Sequence, residues 1–310
     1  MTARRTLRAL LEQSVARFED AGLSYGHGTT NAVDEAAWLI LHALGYPLHE
    51  LNPHLDEPLD DARWRKARTL VDRRIRTRKP AAYLLKEAWL GPYRFHVDER
   101  VIVPRSFIAE LLLKPGRTPF PASRDGVPPD GKWGTSPFSA SPFWVLDLCT
   151  GSGCLAILAA LAFPEARVDA ADLSDDALAV ARINVSSYGL QERVHLVKSD
   201  LFAALEGRAY DLVVSNPPYV KAASMRTLPD EYRREPQMAL ASGRDGLDHT
   251  RTILAQAKRH LKPGGRLVVE IGHNRKALER AYPKLPFEWP ATSAGPGYVF
   301  TLDREQLPGA

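Results

Sequence analysis

The residues in this sequence with the clearest chemical use form one short run, Asp211 to Tyr219, which ends in Asn216-Pro217-Pro218-Tyr219. Proline fixes φ at about −65° and cannot donate to a sheet ladder, so the strand-like residues before it must stop here. The side-chain oxygen of Asn216 and the carbonyl of Pro217 can each accept one hydrogen bond from a planar NH2 group, and Tyr219 can lie against its flat face. The run predicts a binding corner for such a group, although a plain proline turn has the same composition.

A glycine loop lies upstream, in the stretch Trp144 to Ile157. An apolar strand runs into a loop containing Gly151 and Gly153 and then into an apolar helix, which is how a doubly wound nucleotide-binding domain begins. Glycine lets the backbone turn tightly and approach a ligand with no Cβ in the way. With Ala156 the spacing also satisfies the dinucleotide-binding pattern, so a nicotinamide dehydrogenase stays open as an alternative.

Two carboxylates follow later strands. Asp172 ends the second strand about 20 residues after the glycines, where the diol of a ribose would lie. Asp200 ends the third strand and can accept from an adenine amino group, with Leu201 and Phe202 beside the ring. Either acid could instead cap a helix, since carboxylates favour that position. Together they predict an adenosine across the carboxyl ends of the strands, with its reactive end at Asn216.

Length and composition bound the class of protein. A chain of 310 residues favours about two domains, and 45% apolar residues with six Trp can fill a core. The net charge of +4 mildly favours an acidic or nucleic-acid-associated partner. Cys149 and Cys154 flank the glycine loop and are expected to be reduced packing residues. No membrane span or signal-peptide core is found in the sequence, so we expect a soluble cytoplasmic protein.

The N-terminal quarter of the chain is predicted to be helical, because apolar residues recur there at three- to four-residue spacing. A loop, Tyr25 to Asn31, interrupts the pattern, and its His27 is expected to be structural. Residues 63–79 then hold nine Lys or Arg against one acid, Asp72. This asymmetry predicts either a solvated helix face or a contact surface for an RNA-rich partner.

The remaining chain divides by pattern. Residues 88–103 alternate aromatic and polar side chains, which predicts a linking β-hairpin. Residues 114–143 are rich in Pro, Gly and Ser without apolar periodicity and are predicted to form a flexible insertion. Residues 144–310 alternate strand and helix as a parallel α/β sheet requires, with a long loop region over 220–248.

These features resemble the S-adenosylmethionine-dependent methyltransferases, in particular the amino-methylating class that carries Asn-Pro-Pro-Tyr. Over the whole chain the sequence is similar to the glutamine side-chain amide methyltransferases. The matching positions are Arg73-Arg74 with Pro80 and Tyr83, Val103-Pro104-Arg105, Asp147 to Gly153, Asn216 to Tyr219, and Gly265 with Glu270-Ile271-Gly272. Within the family, Tyr25 to Asn31 and Pro104-Arg105-Ser106 resemble the branch that modifies the third protein of the large ribosomal subunit. The release-factor branch is expected to have Pro-Arg-Pro at the second motif.

The resemblance implies a Rossmann-like, seven-stranded class I S-adenosylmethionine-dependent methyltransferase domain at residues 104–310. It places a small helical substrate-recognition domain at residues 1–87 and the linking hairpin at 88–103. The cofactor it implies is S-adenosyl-L-methionine, with no metal. The substrate it implies is a ribosomal protein of the large subunit, free or within an assembling particle.

The resemblance and the motifs also assign the site residues. The catalytic residues are Asn216, Pro217 and Tyr219. The cofactor-binding residues are Asp147, Cys149, Thr150, Gly151, Ser152, Gly153, Asp172, Leu173, Asp200, Leu201 and Asn216. The substrate-binding residues are Arg105, Asn216, Pro217, Pro218 and Tyr219.

Four alternatives remain open at this stage. One is a release-factor glutamine methyltransferase, and another is a nucleic-acid adenine methyltransferase that grips the same kind of amino group on a flipped base. The third is the nicotinamide dehydrogenase, for which Asn-Pro-Pro-Tyr has no evident role. The fourth is a ribosome assembly factor that keeps the fold without the activity, which is disfavoured because every cofactor position is intact.

Overall fold

The computed structural model describes residues 5–114 and 143–309. The flexible insertion predicted for residues 114–143 lies outside the described residues apart from its two ends, Lys114 and Phe143. Within the described ranges, no helix combines the length and the apolar character that a membrane crossing requires.

Five helices form the N-terminal part, as the apolar spacing predicts. They are α1 (Leu7–Asp20), α2 (Ala32–Leu44), α3 (Leu51–His54), α4 (Asp61–Thr77) and α5 (Ala81–Leu85). The Asn31 side chain begins α2 by accepting a hydrogen bond from the Asp34 backbone N–H at 2.9 Å. Gly45 ends the same helix at φ 80°, a left-handed conformation that favours glycine.

One apolar core holds these helices together and continues beyond them. Leu7 and Phe18 of α1, Leu39 of α2 and Val71 of α4 are all fully buried in it. The same cluster includes Val180, which lies far along the chain in a helix of the C-terminal part. The helical part therefore packs directly against the sheet part, because the two share buried apolar surface.

A short hairpin and one helix lead from the helical part to the sheet. The strands β1 (Ala88–Leu90) and β2 (Tyr93–Phe95) pair antiparallel, and Gly91 makes the turn at φ 58°. The helix α6 (Ile108–Leu113) follows. The paired residues cover only the first half of the hairpin range that the alternating pattern predicts.

In the described part of the chain, six strands form the main sheet: β3 (Trp144–Leu148), β4 (Arg167–Asp172), β5 (Val194–Lys198), β6 (Tyr210–Ser215), β7 (Leu261–Glu270) and β8 (Val299–Asp303). Their order is β5-β4-β3-β6-β7-β8, and all neighbours are parallel except β7 and β8. The outer edge of β8 carries one antiparallel bridge, Glu288 to Thr301, where a seventh strand would lie. Five helices accompany the sheet: α7 (Cys154–Ala162), α8 (Asp175–Ser187), α9 (Ala222–Met225), α10 (Asp248–Gln256) and α11 (Arg275–Ala281).

The strand order reverses between β3 and β6. The chain first runs outward from β3 to β4 and β5, and then returns to β6 on the other side of β3. Leu148 at the end of β3 pairs with Ser215 at the end of β6. The glycine loop and the Asn-Pro-Pro-Tyr turn therefore start side by side, at the kind of switch point where open parallel sheets bind ligands.

Within the basic run of residues 63–79, the side chains divide by helix face. Arg74 on α4 is fully buried and contacts the carboxylates of Glu35 and Glu231, which are buried as well. Its neighbour Arg73 is exposed. The run is therefore not a uniform surface, because one of its arginines is an interior cation paired on both sides.

We predict that Arg74→Ala lowers the free energy of unfolding by about 3–5 kcal/mol, because it removes a cation from two buried carboxylates. The matched control Arg73→Ala should change it by less than about 0.5 kcal/mol, as is usual for exposed positions. Urea denaturation of both variants measures the difference. Equal losses in the two variants would contradict the burial of the Arg74 pair.

Candidate functional site

A cavity of about 280 Å³ opens at the carboxyl ends of the central strands. Eight of the predicted site residues line it: Cys149, Gly151, Asp172, Leu173, Asp200, Leu201, Asn216 and Pro218. They come from the ends of β3, β4, β5 and β6, which are remote in sequence and adjacent in the sheet. The structure thus brings the glycine loop, both predicted carboxylates and the proline corner to one space.

The glycine loop owes its shape to two glycines with positive φ. Gly153 (φ 79°) begins α7, and a Cβ there would lie 3.1 Å from the Cβ of Ala181 on α8, so the two helices approach closely at this point. Gly151 (φ 56°) has open space where its Cβ would be. Its backbone N–H donates to the Asp172 carboxylate at 2.9 Å. That bond joins the loops after β3 and β4.

Asp147 lies beneath this loop and is completely buried. One carboxylate oxygen, Oδ2, accepts from the Thr150 hydroxyl at 2.6 Å and from the Ala156 N–H at 3.0 Å. The other, Oδ1, has no hydrogen-bond partner within the described part of the chain. Burial raises the pKa of Asp147 to about 7, against the opposing effect of the two hydrogen bonds. Asp147 is not among the residues that line the cavity, but its unsatisfied oxygen lies under the glycine loop that does, and such an oxygen is suited to a cationic group.

The two carboxylates after β4 and β5 differ in their surroundings. Besides Gly151, Asp172 accepts from the Ser174 N–H at 2.9 Å, and burial raises its pKa. Ser174, not Asp172, caps α8, so the alternative reading of Asp172 as a helix N-cap is wrong. Asp200 is exposed and lines the cavity with Leu201. The neighbouring Phe202 does not line the cavity.

The expectation that Phe202 lies beside the ligand is therefore wrong. It is buried, and its ring stacks on His260 with centroids 4.5 Å apart. Leu201 takes a left-handed conformation at φ 48° just before it. The sequence pattern places two apolar residues after Asp200, but only the backbone geometry decides which of them faces the cavity.

The Asn-Pro-Pro-Tyr turn follows β6 as predicted. The Asn216 side-chain oxygen is buried and has no hydrogen-bond partner among the described residues. Within the same residues, no backbone N–H donates to the Pro217 carbonyl outside the regular elements. Pro218 lines the cavity, whereas Pro217 and Tyr219 do not. Two acceptors thus remain unsaturated at a rigid corner, so the turn does more than end a strand.

Tyr219 is held in place from behind. Its carbonyl accepts from the Asn274 side chain at 2.8 Å. Its ring packs so closely on Gly272 that a Cβ there would lie 2.7 Å from the ring edge. Burial raises the pKa of the Tyr219 hydroxyl, and the nearby Glu270 adds to this. The tyrosine is thus a neutral, fixed wall of the corner.

The other predicted residues of the glycine loop surround the cavity, and not all of them line it. Thr150 holds Asp147, and Ser152 is buried with its carbonyl accepting from Asn184 at 2.8 Å. Burial raises the pKa of the Cys149 thiol and raises that of Cys154 to about 12. Both cysteines are therefore protonated and unpaired among the described residues; Cys154 is a buried packing residue, as expected, whereas Cys149 lines the cavity.

Arg105 lies elsewhere than the prediction of direct substrate contact suggests. Its guanidinium pairs with both oxygens of Glu235, at 2.6 and 2.7 Å, and lies over the Tyr232 ring. It does not line the cavity. An arginine that already has a bidentate carboxylate partner is engaged within the protein.

Several residues that line the cavity are not predicted by the sequence. They include Ile102 from the linker, Pro236 and Met238 from the long loop, and His249 at the start of α10. His249 bonds through Nδ1 to the Ser242 hydroxyl at 2.8 Å, and burial lowers its pKa, so its imidazole is neutral at pH 7. No periodicity or motif marks these positions. The signal that could have helped is Glu235-Pro236, a buried acid followed by a turn residue.

No group of His, Cys, Asp or Glu within residues 5–114 and 143–309 is arranged to hold a metal ion. The lining of the cavity combines apolar surface, free acceptors and carboxylates. This combination suits an organic ligand with cationic or amino groups.

Comparison with known proteins follows the same division of the chain. A family model described as the methyltransferase small domain matches residues 138–231. A second model, the PrmC N-terminal domain, matches residues 9–85. Ribosomal protein uL3 glutamine methyltransferase from Neisseria meningitidis serogroup A is 54% identical over 98% of this chain and 95% of its own length. The chain belongs to this family.

Two more relatives extend the match. The proteins of the same name from Burkholderia pseudomallei and Bradyrhizobium diazoefficiens are 49% and 47% identical, over 98% and 97% of this chain and 96% and 92% of their own lengths. Among solved structures, a methyltransferase from Pyrococcus furiosus covers 54% of this chain and 77% of its own, with 18% identity and a TM-score of 0.40. The family membership establishes the class I methyltransferase fold and the enzyme class that the motifs predict.

We predict that the free energy of unfolding of the ligand-free protein falls as pH rises from 5 to 7. The pKa of Asp147 is about 7 in the folded protein and ordinarily 3.8, so the folded state holds a proton that the unfolded chain has lost. This stabilisation is complete below pH 4 and disappears as pH passes 7, with a slope of up to about 1.4 kcal/mol per pH unit. Urea denaturation at several pH values measures it.

Asp147→Asn should make this slope shallower, because its side chain does not titrate. Glu270 also titrates in this range, since burial raises its pKa to about 7, and its share should remain in the variant. The exposed Glu192→Gln is the control and should keep the wild-type slope. An unchanged slope in Asp147→Asn would contradict the assignment of the proton to Asp147.

Proposed function

We propose that the chain transfers a methyl group from S-adenosyl-L-methionine to the side-chain amide nitrogen of a glutamine in a ribosomal protein of the large subunit. The observation that carries this proposal is the side-chain oxygen of Asn216 at the switch point, which is buried and has no partner among residues 5–114 and 143–309. Leaving a buried acceptor unsatisfied costs about 1–3 kcal/mol, so a ligand donor is its natural partner. The names of the relatives supply the substrate class.

The residues present fit the cofactor. We assign Asp147 Oδ1, which lacks a partner in the described chain, to the methionine amine, directly or through water. Gly151 offers backbone with open space above it. Asp172 keeps free lone pairs for a ribose diol although each of its oxygens already accepts one backbone N–H. Asp200 and Leu201 complete the adenine end, and Leu173, half exposed, covers the outer rim.

The bound cofactor would supply an electrophilic methyl group, and the protein supplies the geometry. An amide nitrogen is a poor nucleophile because its lone pair is delocalised into the carbonyl. The Asn216 side-chain oxygen and the Pro217 carbonyl each accept a hydrogen bond from one of its two N–H groups and direct the nitrogen at the methyl carbon. The rate of transfer then comes from positioning and electrostatics. Tyr219, fixed by Gly272, does not line the cavity and supports the corner from outside it. No residue has to ionise the amide first: as the N–C bond forms, the bond from the methyl carbon to the cofactor sulfur would break, and the nitrogen would then lose one proton to water.

Three parts of the chain divide the work in this proposal. Residues 1–87 recognise the substrate, residues 88–103 link, and residues 104–310 bind the cofactor and carry out transfer. We infer that Arg105 serves the substrate by holding Glu235 rather than by touching the amide. Ribosomal proteins meet ribosomal RNA in the cytoplasm, which is where we place the reaction.

The alternative enzymes would methylate different substrates. A release-factor methyltransferase and a nucleic-acid adenine methyltransferase would use the same corner, because both present an NH2 group to two acceptors. Incubation of the protein with labelled cofactor and, separately, large-subunit ribosomal proteins, release factor and DNA distinguishes them. Label in a ribosomal protein glutamine supports the proposal, and label only in release factor or nucleic acid overturns it.

We predict that Asn216→Ala abolishes methyl transfer and leaves the affinity for S-adenosylhomocysteine within about threefold, because the amide loses its acceptor while the cofactor contacts stay. Asp172→Ala serves as the reciprocal control. It should weaken S-adenosylhomocysteine binding by about 10- to 100-fold, as expected for hydrogen bonds to a charged group, and should keep transfer at saturating cofactor. Calorimetry and single-turnover assays measure the two quantities. Equal loss of both in Asn216→Ala would place Asn216 in the cofactor pocket instead.

The partner is also proposed to include RNA. Four basic residues, Arg65, Lys66, Arg73 and Arg76, are exposed on α4 and form no ion pair within the described chain. At about 100° per residue they fall within one face about 100° wide, whose centre is about 130° around the helix from the buried Arg74. We call them the outer face of α4. Their unpaired charge fits phosphates of ribosomal RNA in an assembling particle.

We predict that changing all four outer-face residues to Gln weakens binding to large-subunit ribosomal RNA and lowers the slope of log K against log salt by up to about 3. The matched control changes four exposed basic residues of the C-terminal part to Gln: Arg182, Lys276, Arg280 and Lys284. Fluorescence anisotropy at several salt concentrations measures both. Equal losses in the two variants would mean that net charge alone attracts the RNA.

A further inference from the structure

One stretch of the long loop region ties the helical part to the cavity. We call residues 231–242 the bridging segment. It starts with Glu231 and Glu235, whose side chains are fully buried, and it ends beside the Asn-Pro-Pro-Tyr turn. Between these ends it forms two short turns of 3-10 helix, Tyr232–Arg234 and Gln237–Ala239.

The first carboxylate is held by the helical part alone. Glu231 Oε1 lies 3.1 Å from the guanidinium of Arg74 on α4 and 3.0 Å from that of Arg78, just beyond the end of α4. The Arg78 guanidinium also donates to the backbone carbonyls of Ala21 and Gly22, at 2.7 and 2.9 Å. These contacts fix the start of the bridging segment against the ends of α1 and α4.

The second carboxylate is held by the linker and the loop after α1. The Glu235 carboxylate accepts hydrogen bonds from the two terminal nitrogens of Arg105 and from the backbone N–H of Val103, the last at 3.0 Å. His27 Nε2 lies 3.5 Å from it. Burial by itself raises the pKa of Glu235, but Arg105 and His27 outweigh it and lower the pKa to about 2. The pair of Glu235 with Arg105 is therefore ionised. The His27 ring packs on the ring of Tyr232.

The rest of the segment forms one wall of the cavity. Pro236 directly follows Glu235 and lines the cavity together with Met238, which is 53% exposed, and Ala239. Val220 follows the Asn-Pro-Pro-Tyr turn. Its N–H donates to the Leu240 carbonyl at 2.7 Å, and its carbonyl accepts from Ser242 at 2.9 Å. A shift of the segment would therefore move both a cavity wall and the residue after Tyr219.

Two buried ion pairs four residues apart are a costly way to attach a loop. Apolar side chains of similar size often give equal or greater stability, because charges must be stripped of water. What a bidentate pair adds is a defined direction and distance. The chain uses one such pair, Arg105 with Glu235, and at Glu231 it places two guanidinium groups on one carboxylate oxygen.

We propose that Glu235 is a positioning residue for methyl transfer, which, together with the anchor of Glu231 on the helical part, sets the cavity wall at Pro236–Ala239 and the corner at Asn216. The proposal rests on the proposed function, since it assigns these residues to that reaction. It predicts that the ion pairs act on the substrate amide and on its orientation, and much less on the cofactor end of the cavity.

The experiment compares Glu235→Gln with a matched control, Asp169→Asn. Asp169 is likewise a buried carboxylate, held by Arg208 at 2.8 Å and by the Tyr210 hydroxyl at 2.7 Å, but it does not line the cavity or touch the bridging segment. Three quantities are measured for each: thermal midpoint, Kd for S-adenosylhomocysteine, and kcat/KM for the ribosomal protein substrate below the unfolding range.

We expect Glu235→Gln to lower kcat/KM by about 10- to 100-fold, the size of effect that follows from a misplaced reacting group, with Kd for S-adenosylhomocysteine within about threefold. Asp169→Asn should lower the thermal midpoint comparably and keep kcat/KM within about twofold. Arg105→Lys, which keeps the charge but loses the bidentate geometry, should fall between wild type and Arg105→Met.

Two outcomes would overturn the proposal: an unchanged kcat/KM in folded Glu235→Gln, or equal losses of kcat/KM in Glu235→Gln and Asp169→Asn. The binding measurement shows that each variant is folded. Failure of the proposed function is a different result, because the wild-type protein itself would then bind no S-adenosylhomocysteine or methylate no glutamine.

Discussion

The structure depends on a constraint of parallel sheets: where the strand order reverses, two adjacent strands send their connections to opposite sides and leave a gap at their carboxyl ends. Here the gap lies between β3 and β6, where Leu148 pairs with Ser215. The glycine loop and the proline corner leave from those two residues. The other residues of the site place backbone acceptors and carboxylates around this gap or cover it.

The polar groups around the gap are kept unsatisfied by rigid surroundings. Asp147 is held by Thr150 and by the start of α7, so its second oxygen cannot turn away to find a partner. Asn216 is followed by two prolines, and Tyr219 is wedged against Gly272. Such a site is arranged before the ligand arrives, which avoids reorganisation during the reaction. This arrangement buries carboxylates, and burial raises the pKa values of Asp147 and Asp172.

The two parts of the chain act as one body because buried surface and buried charge cross between them. Val180 of the sheet part belongs to the apolar core of the helices. Arg74 bridges Glu35 and Glu231, which are separated by most of the chain. The helical part is thereby connected to the wall of the cavity by short, directional contacts rather than by a flexible linker.

The sequence by itself determined the local elements and the rigid Asn-Pro-Pro-Tyr turn. Proline and glycine act on their own backbone, so Pro217, Pro218, Gly151 and Gly153 could be interpreted without a structure, and strand–helix alternation gave the sheet class. Only the tertiary structure decided the role of long-range partners. It showed that Arg105 binds Glu235 and that Phe202 stacks on His260. It also placed Met238 and His249 at the cavity. These depend on contacts between residues far apart in the chain, which periodicity and motif spacing do not encode.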